Sequence, residues 1–249
     1  MDNKKVAIIT GGGKGIGFGL ALAFIKSGYD LTITGRTLET LKNAQEELQK
    51  FGKCLIVQAD GGKEEDAKKV IDETIKEYGR IDCLVNNAQT SKSGYKLVDH
   101  TKEDFDLAIY SGLYATFFMM KYAFPYLKET KGSVVNFGSG AGISGKDSQS
   151  SYAAAKEGIR GLSRVAATEW GEFGIRVNVL CPLAMTPGLK AWEKAYPELY
   201  KKTIDAIPLK RFGDPEKDIG SVAVFLASDE ASYITGQCIT LQGGSGLRP

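Results

Sequence analysis

Short apolar runs alternate with longer amphipathic stretches along almost the whole chain. The runs Lys5–Thr10, Asp30–Thr34, Lys53–Ala59, Ile81–Asn86, Ser133–Phe137, Ile175–Leu180 and Gln237–Gln242 have the length and residue types of strands. Between them lie stretches with helical periodicity. The first, rich in Ala and Leu, runs to Ser27; others cover Leu38–Phe51 and Lys63–Tyr78. A long helix is predicted from Thr101 to about Leu127, with Glu103 and Asp104 suited to its first turn. Another opens near Ser150 and continues through Trp170, and Pro215–Ser228 reads as the last. Repeated strand–helix–strand units predict an α/β fold, a parallel sheet with helices on both faces. Residues Cys181–Asp214 are less regular and hold four of the seven prolines. No linker, low-complexity run or fixed-period repeat divides residues 1–249, so one domain is expected.

Composition removes several function classes. With 249 residues, 43% hydrophobic and 25% charged, the chain suits one large α/β domain with a full core. A net charge of +2 with mixed signs gives no reason to expect nucleic acid or an anionic membrane as partner. Val6–Ile9 is too short for a signal segment, and no apolar stretch reaches bilayer length. Cys54, Cys83, Cys181 and Cys238 show no metal-ligand or redox spacing, and read as reduced core thiols of a cytoplasmic protein. The single histidine, His100, stands beside Asp99 in a polar loop, which disfavours a His-based triad or a His-rich metal site.

Two stretches carry chemistry. The first is T-G-G-G-K-G-I-G at 10–17, set between the first strand and the first helix. Gly11, Gly15 and Gly17 permit a tight turn, backbone approach to a pyrophosphate and close helix–strand packing, with the helix N-terminus facing the phosphates. The spacing differs from the commoner G-x-G-x-x-G, and a glycine turn without a ligand is the plain alternative. The second strand ends at Gly35, Arg36 and Thr37, where an acidic residue would bind a ribose 2′-hydroxyl and an Arg accommodates a 2′-phosphate. With Lys14 as a second cation and no carboxylate, this end favours NADP(H), although both cations also suit an ordinary surface. Together the signals specify a Rossmann-type doubly wound sheet.

The second stretch is S-G-A-G-I-S-G-K-D-S-Q-S-S-Y-A-A-A-K at 139–156. Tyr152 and Lys156, four apart on a helix, share a face. A cation held near a phenol favours the phenolate and lowers its pKa toward the useful acid–base range. Ser139, arriving from a strand end, is placed to hydrogen-bond the oxygen that gains or loses the proton. The pair alone also fits a half-exposed helix with an unremarkable lysine.

With both stretches in place, the chain resembles the short-chain dehydrogenase/reductase family over nearly its whole length. The marks are the glycine segment, Asp60 after the third strand, N-N-A at 86–88, Ser139 with Y-A-A-A-K at 152–156, R-V-N at 176–178, and the late R-F-G-D-P-E and Y-I-T-G-Q segments. The resemblance implies that Ser139 polarises the substrate oxygen, that Tyr152 exchanges the proton, and that Lys156 lowers the tyrosine pKa and holds the nicotinamide ribose. It implies a cofactor site of Gly11, Lys14, Gly15, Ile16, Gly17, Arg36, Thr37, Asp60, Gly61, Asn87, Ala88, Tyr152, Lys156 and Thr186. In that site Asp60 and Asn87–Ala88 flank the adenine half and Thr186 meets the carboxamide. No metal is implied.

Three positions depart from the family pattern: Gln89 replaces a glycine, Gly112 stands where a proton-relaying asparagine is usual, and Leu183 follows Pro182 in a loop one residue short. With Y-S-G-L-Y-A-T-F at 110–117, C-P-L-A-M-T at 181–186 and the ending G-G-S-G-L-R-P, they make the chain similar to bacterial NADP-dependent 12α-hydroxysteroid (bile acid) dehydrogenases. The resemblance implies a small apolar ketone or alcohol as substrate, and a homotetramer built through the helices that contain Leu113 and Ile159. Trp192, Tyr196 and Tyr200 are candidates for a lid within a substrate loop at about 183–213, and their spacing also suits plain helix packing. Two other readings stay open: reduction of another ketone, such as a 3-oxoacyl thioester or a small cyclic ketone, and a catalytically silent NADP(H)-binding regulator. The mixed charges of Lys190, Glu193, Lys194, Glu198, Lys201 and Lys202 leave an acyl-carrier partner undecided.

Overall fold

In the computed structural model, which describes residues 4–246, seven parallel strands form one sheet in the order β3-β2-β1-β4-β5-β6-β7. Its strands are β1 (Val6–Thr10), β2 (Asp30–Gly35), β3 (Cys54–Gln58), β4 (Cys83–Asn86), β5 (Ser133–Phe137), β6 (Arg176–Pro182) and β7 (Cys238–Leu241). All seven predicted strands are present, and every neighbouring pair runs parallel. The last residues of the G-G-S-G-L-R-P segment, Leu247–Pro249, lie outside the described residues.

β1, β4 and β5 are buried at every position, as strands covered on both faces must be. Side chains alternate between two cores. Ala7 and Ile9 pack with Leu20 and Phe24 of α1 (Gly15–Lys26), Leu41 of α2 (Leu38–Leu48) and Leu226 of α10 (Ser221–Ala227). Ile8 packs on the other face with Val70 of α3 (Glu64–Tyr78), Met119 of α5 (Ala115–Thr130) and Ala166 of α7 (Ser150–Trp170). This is the doubly wound arrangement that the alternating pattern predicts. α3 shows how the sequence bounds such a helix: Glu64, Glu65 and Asp66 lie at its positive end, and Gly79 closes it at φ 75°.

Two predicted helices and one stretch predicted as irregular differ from the simple pattern. The helix expected from Thr101 to Leu127 is split into α4 (Lys102–Ala108), a π turn (Ile109–Tyr114) and α5, which ends at Thr130. The Ser111 hydroxyl lies 2.6 Å from the Leu107 carbonyl and 2.7 Å from that of Thr90, so a side chain intrudes on the helical ladder. Pro215–Ser228 likewise opens as a π turn (Pro215–Gly220) before α10. The irregular 181–214 stretch contains two helices, α8 (Pro187–Ala195) and α9 (Pro197–Asp205). Their prolines, which read as breakers in sequence, stand in the first helical turn, where the missing N–H costs nothing.

The thiols also need a correction. Cys54, Cys83 and Cys181 are buried, but Cys238 is exposed. Pairing of β6 with β7 brings its sulfur to 3.5 Å from that of Cys181.

Candidate active site

The sheet order reverses direction between β1 and β4, and a crevice opens at the carboxyl ends of these two strands. Thr10 clamps them together: its hydroxyl accepts hydrogen bonds from Asn87 N and Ala88 N, both at 3.0 Å. The Asn87 side chain donates to the Thr10 carbonyl at 3.0 Å. Gly11 turns the chain at φ 68° and Gly15 at φ 58°, and α1 begins there with no side chain capping its first N–H groups. A Cβ at Gly17 would overlap the Gly11 carbonyl oxygen and stand 2.7 Å from Asn87 Nδ2.

The crevice is a cavity of about 520 Å³. Its lining includes Gly11, Lys14, Gly15, Ile16, Gly17, Arg36, Thr37, Asp60, Gly61, Asn87, Ala88 and Thr186. All the expected cofactor residues therefore meet in one place except Tyr152 and Lys156. Thr186 reaches it despite the shortened loop, because it caps α8 by accepting from Leu189 N at 3.3 Å. Gly13 packs against Thr40 and Leu41, so the glycine loop adjoins the end of β2. Arg36 donates to Thr90 Oγ1 at 2.9 Å, and its carbonyl is held by Gln58 at 2.8 Å. No carboxylate follows β2 before Arg36 and Thr37. The open N–H groups, glycine cradle and cations fit a phosphate-bearing dinucleotide.

A second cavity, of about 810 Å³, lies at the ends of β5 and β6 and contains Ser139, Tyr152, Leu183 and Trp192 in its lining. Ser139 caps the short α6 (Gly140–Ser144), its oxygen accepting from Ala141 N at 3.1 Å. Tyr152 and Lys156 lie one turn apart on α7, with the ammonium 5.6 Å from the ring centroid. Lys156 lines neither cavity; it is 4% exposed and donates to the Phe137 carbonyl at 2.7 Å.

The electrostatics differ from the expected pattern. Burial raises the Tyr152 phenol above its ordinary pKa; a hydrogen bond with Ser139 lowers it, and nearby Cys181 raises it further. Ser139, rather than Lys156, is thus the group that favours the phenolate. The same burial brings Lys156 down to about 8. A cation four residues away on one helix face is counteracted when the helix face is dry.

Some functional neighbours were not foreseen. The Gln89 side chain occupies the space beside Gly112: a Cβ there would stand 2.7 Å from Gln89 Cδ. Both polar atoms of that carboxamide are buried without a hydrogen-bond partner among the described residues. The two departures from the family pattern, 23 residues apart in sequence, are therefore one local rearrangement. The aromatic trio separates: Trp192 lines the second cavity, Tyr200 packs between Trp192 and Phe212, and Tyr196 is 55% exposed and joins neither. Ile159, on a helix expected at a subunit contact, is 1% exposed and lies in the core of this chain. Among the described residues no group of three His, Cys, Asp or Glu side chains is placed to hold a metal, and no helix is long and apolar enough to cross a membrane.

The family model described as enoyl-(acyl carrier protein) reductase matches residues 11–245. The chain belongs to the short-chain dehydrogenase/reductase family. It is an oxidoreductase of that family. It is 55% identical to a 12alpha-hydroxysteroid dehydrogenase of Clostridium sp., with 98% of each chain covered. It is 36% identical to a 3-oxoacyl-[acyl-carrier-protein] reductase of Thermotoga maritima, covering 96% of this chain and 97% of the other. Among solved structures, levodione reductase superposes with a TM-score of 0.90 at 31% identity, covering 96% of each chain. Cj0485 dehydrogenase gives 0.91 at 34% identity, over 98% of this chain and 96% of that one. Family membership carries a nicotinamide cofactor with it, and the first cavity is where this chain fits one.

Proposed function

We propose that this protein is an NADP(H)-dependent dehydrogenase that interconverts a secondary alcohol and a ketone on a hydroxysteroid of the bile-acid type. The observation that carries the reading is a pair of cavities lined by consecutive residues, Thr90 in the first and Ser91 in the second: a phosphate-fitted crevice and a larger, mainly apolar chamber containing Ser139 and Tyr152. The 55% identity to a hydroxysteroid dehydrogenase supports the substrate class. Preference for NADP(H) rests on Arg36 and Lys14, both in the lining of the first cavity.

The nicotinamide, when bound, takes up or delivers the hydride. In oxidation Tyr152, as phenolate, removes the hydroxyl proton while Ser139 hydrogen-bonds the carbinol oxygen. In reduction the same phenol returns the proton. Because burial keeps the phenol protonated, reduction is served at neutral pH and oxidation gains with rising pH. Lys156 holds positive charge behind Tyr152 until the pH passes about 8. The α8–α9 segment, within 183–213, covers the substrate through Trp192, backed by Tyr200. Subunits associate as a tetramer through the exposed Tyr110, Tyr114 and Phe117 on the π turn and α5. The four free cysteines suit a cytoplasmic setting.

The test follows reduced-nicotinamide absorbance with NADP+ and bile acids hydroxylated singly at the 3, 7 or 12 position. Tyr152→Phe serves as the blank, with turnover expected to fall about 10²–10⁴-fold while NADPH binding persists. Turnover of one positional isomer, lost in the variant, is the expected result. Reduction of 3-oxoacyl thioesters in place of any steroid would replace the substrate reading.

A further inference from the structure

The second cavity has a charge pattern of its own. Nine charged side chains fall between residues 190 and 211, with both signs represented. Only one of them, Lys202 on α9, contributes to the cavity lining. From the opposite stretch of chain comes Lys146, which follows α6. Its neighbours Lys92 and Lys96 are engaged elsewhere, with Asp104 at 2.7 Å and Asp147 at 2.8 Å. Lys146 and Lys202 make no ion pair among the described residues, and no Asp or Glu lines the cavity.

The remaining walls are mainly apolar, with Trp192, Leu183, Leu199 and Phe212 among them. A volume of about 810 Å³ is ample for a rigid polycyclic body. Both lysines are exposed, which puts them at the mouth, whereas Tyr152 is largely buried at the reacting end. An apolar chamber with a proton-transferring phenol inside and two unpaired cations at its mouth matches an amphipathic anion. One end of such a ligand loses water, and the other meets positive charge.

We propose that Lys202, assisted by Lys146, binds the acidic group of an amphipathic substrate whose carbinol or carbonyl lies at Tyr152. The ligand class is an apolar alcohol or ketone carrying a carboxylate or sulfonate at its far end. This rests on the reading that the second cavity receives the reacting molecule. Both cations remain in contact with water, so they act as a selective rim rather than as the main source of affinity.

The test compares deoxycholate with its uncharged methyl ester on the NADP+-loaded enzyme. Binding is followed by tryptophan fluorescence, since Trp192 lines the chamber, and kcat/KM is measured for both compounds. The wild-type protein is expected to prefer the acid. Lys202→Ala should lose about tenfold for the acid and less than twofold for the ester, Lys202→Arg should retain the preference, and Lys146→Ala should show a smaller loss of the same kind. Equal losses for acid and ester, or no preference in the wild type, would overturn the inference even with rapid turnover of both. Lys202-dependent binding of the acid without oxidation would instead uphold the role of Lys202 and refute the reading of a 3- or 12-hydroxysteroid as substrate.

Discussion

The two cavities are made differently. The first is largely backbone: glycines 11, 15 and 17, the open end of α1, and the Thr10 clamp between β1 and β4. The second is made of side chains standing on short helices, α6, α8 and α9, each begun by a cap or a proline. A backbone site tolerates little change in shape, because an added methyl group meets main-chain atoms that cannot step aside. A side-chain site can be retuned position by position, and relatives that share the fold carry names as different as hydroxysteroid dehydrogenase and levodione reductase.

Lys156, which lines neither cavity but stands one turn from Tyr152 on α7, offers the largest test of that contrast. Its folded pKa of about 8 lies below the unfolded value near 10.4. The buried ammonium therefore disfavours folding fully below pH 8, and this penalty fades as pH rises from 8 toward 10.4, where only the unfolded chain still holds the proton. Lys156→Met should gain about 3 kcal/mol relative to the wild type at pH 7, compared with the same difference above pH 10. Loss of the hydrogen bond to Phe137 shifts the whole curve but not its slope. Urea unfolding of both proteins from pH 7 to 10 measures this; a stability difference independent of pH would mean the amine is well solvated or well paired.

Arg36 tests the first cavity at the point where a side chain, rather than the backbone, is proposed to select the ligand. Replacing it with aspartate should move the NADPH-to-NADH ratio of kcat/KM by about 100-fold toward NADH, on the scale of a lost charge-assisted contact. The glycine cradle is untouched, so binding of the shared pyrophosphate should persist. An unchanged ratio would remove Arg36 from 2′-phosphate recognition.

The contrast also explains what could be read from sequence. The strands and the glycine loop were legible because buried parallel strands leave continuous apolar runs, and because a turn with positive φ leaves glycines at fixed spacing. Ser139, Tyr152 and Lys156 were legible as types but not as electrostatics, since burial of α7 raises the phenol and lowers the amine. α8 and α9 were hidden by Pro187 and Pro197, whose meaning depends on whether they interrupt a helix or start one. The selection of Lys202 from the nine charged side chains of this stretch was invisible because it depends on which face of α9 meets the chamber.

Gln89 and Gly112 give the smallest test and bear on how a side-chain site is retuned. Gly112 sits in the π turn, and the Gln89 carboxamide fills the volume a side chain there would need. Gly112→Asn alone should overpack the site and cost about 1–3 kcal/mol, because the buried Gln89 carboxamide must yield. Gln89→Gly alone should open a hole of similar consequence. Combined, the two changes should be less damaging than their sum, since each removes the other's conflict, as a double-mutant cycle on unfolding free energy would show. Additive costs would mean that the two departures from the family pattern arose independently. A favourable coupling would mean that the carboxamide has moved from the helix to the loop, with the glycine as its necessary counterpart.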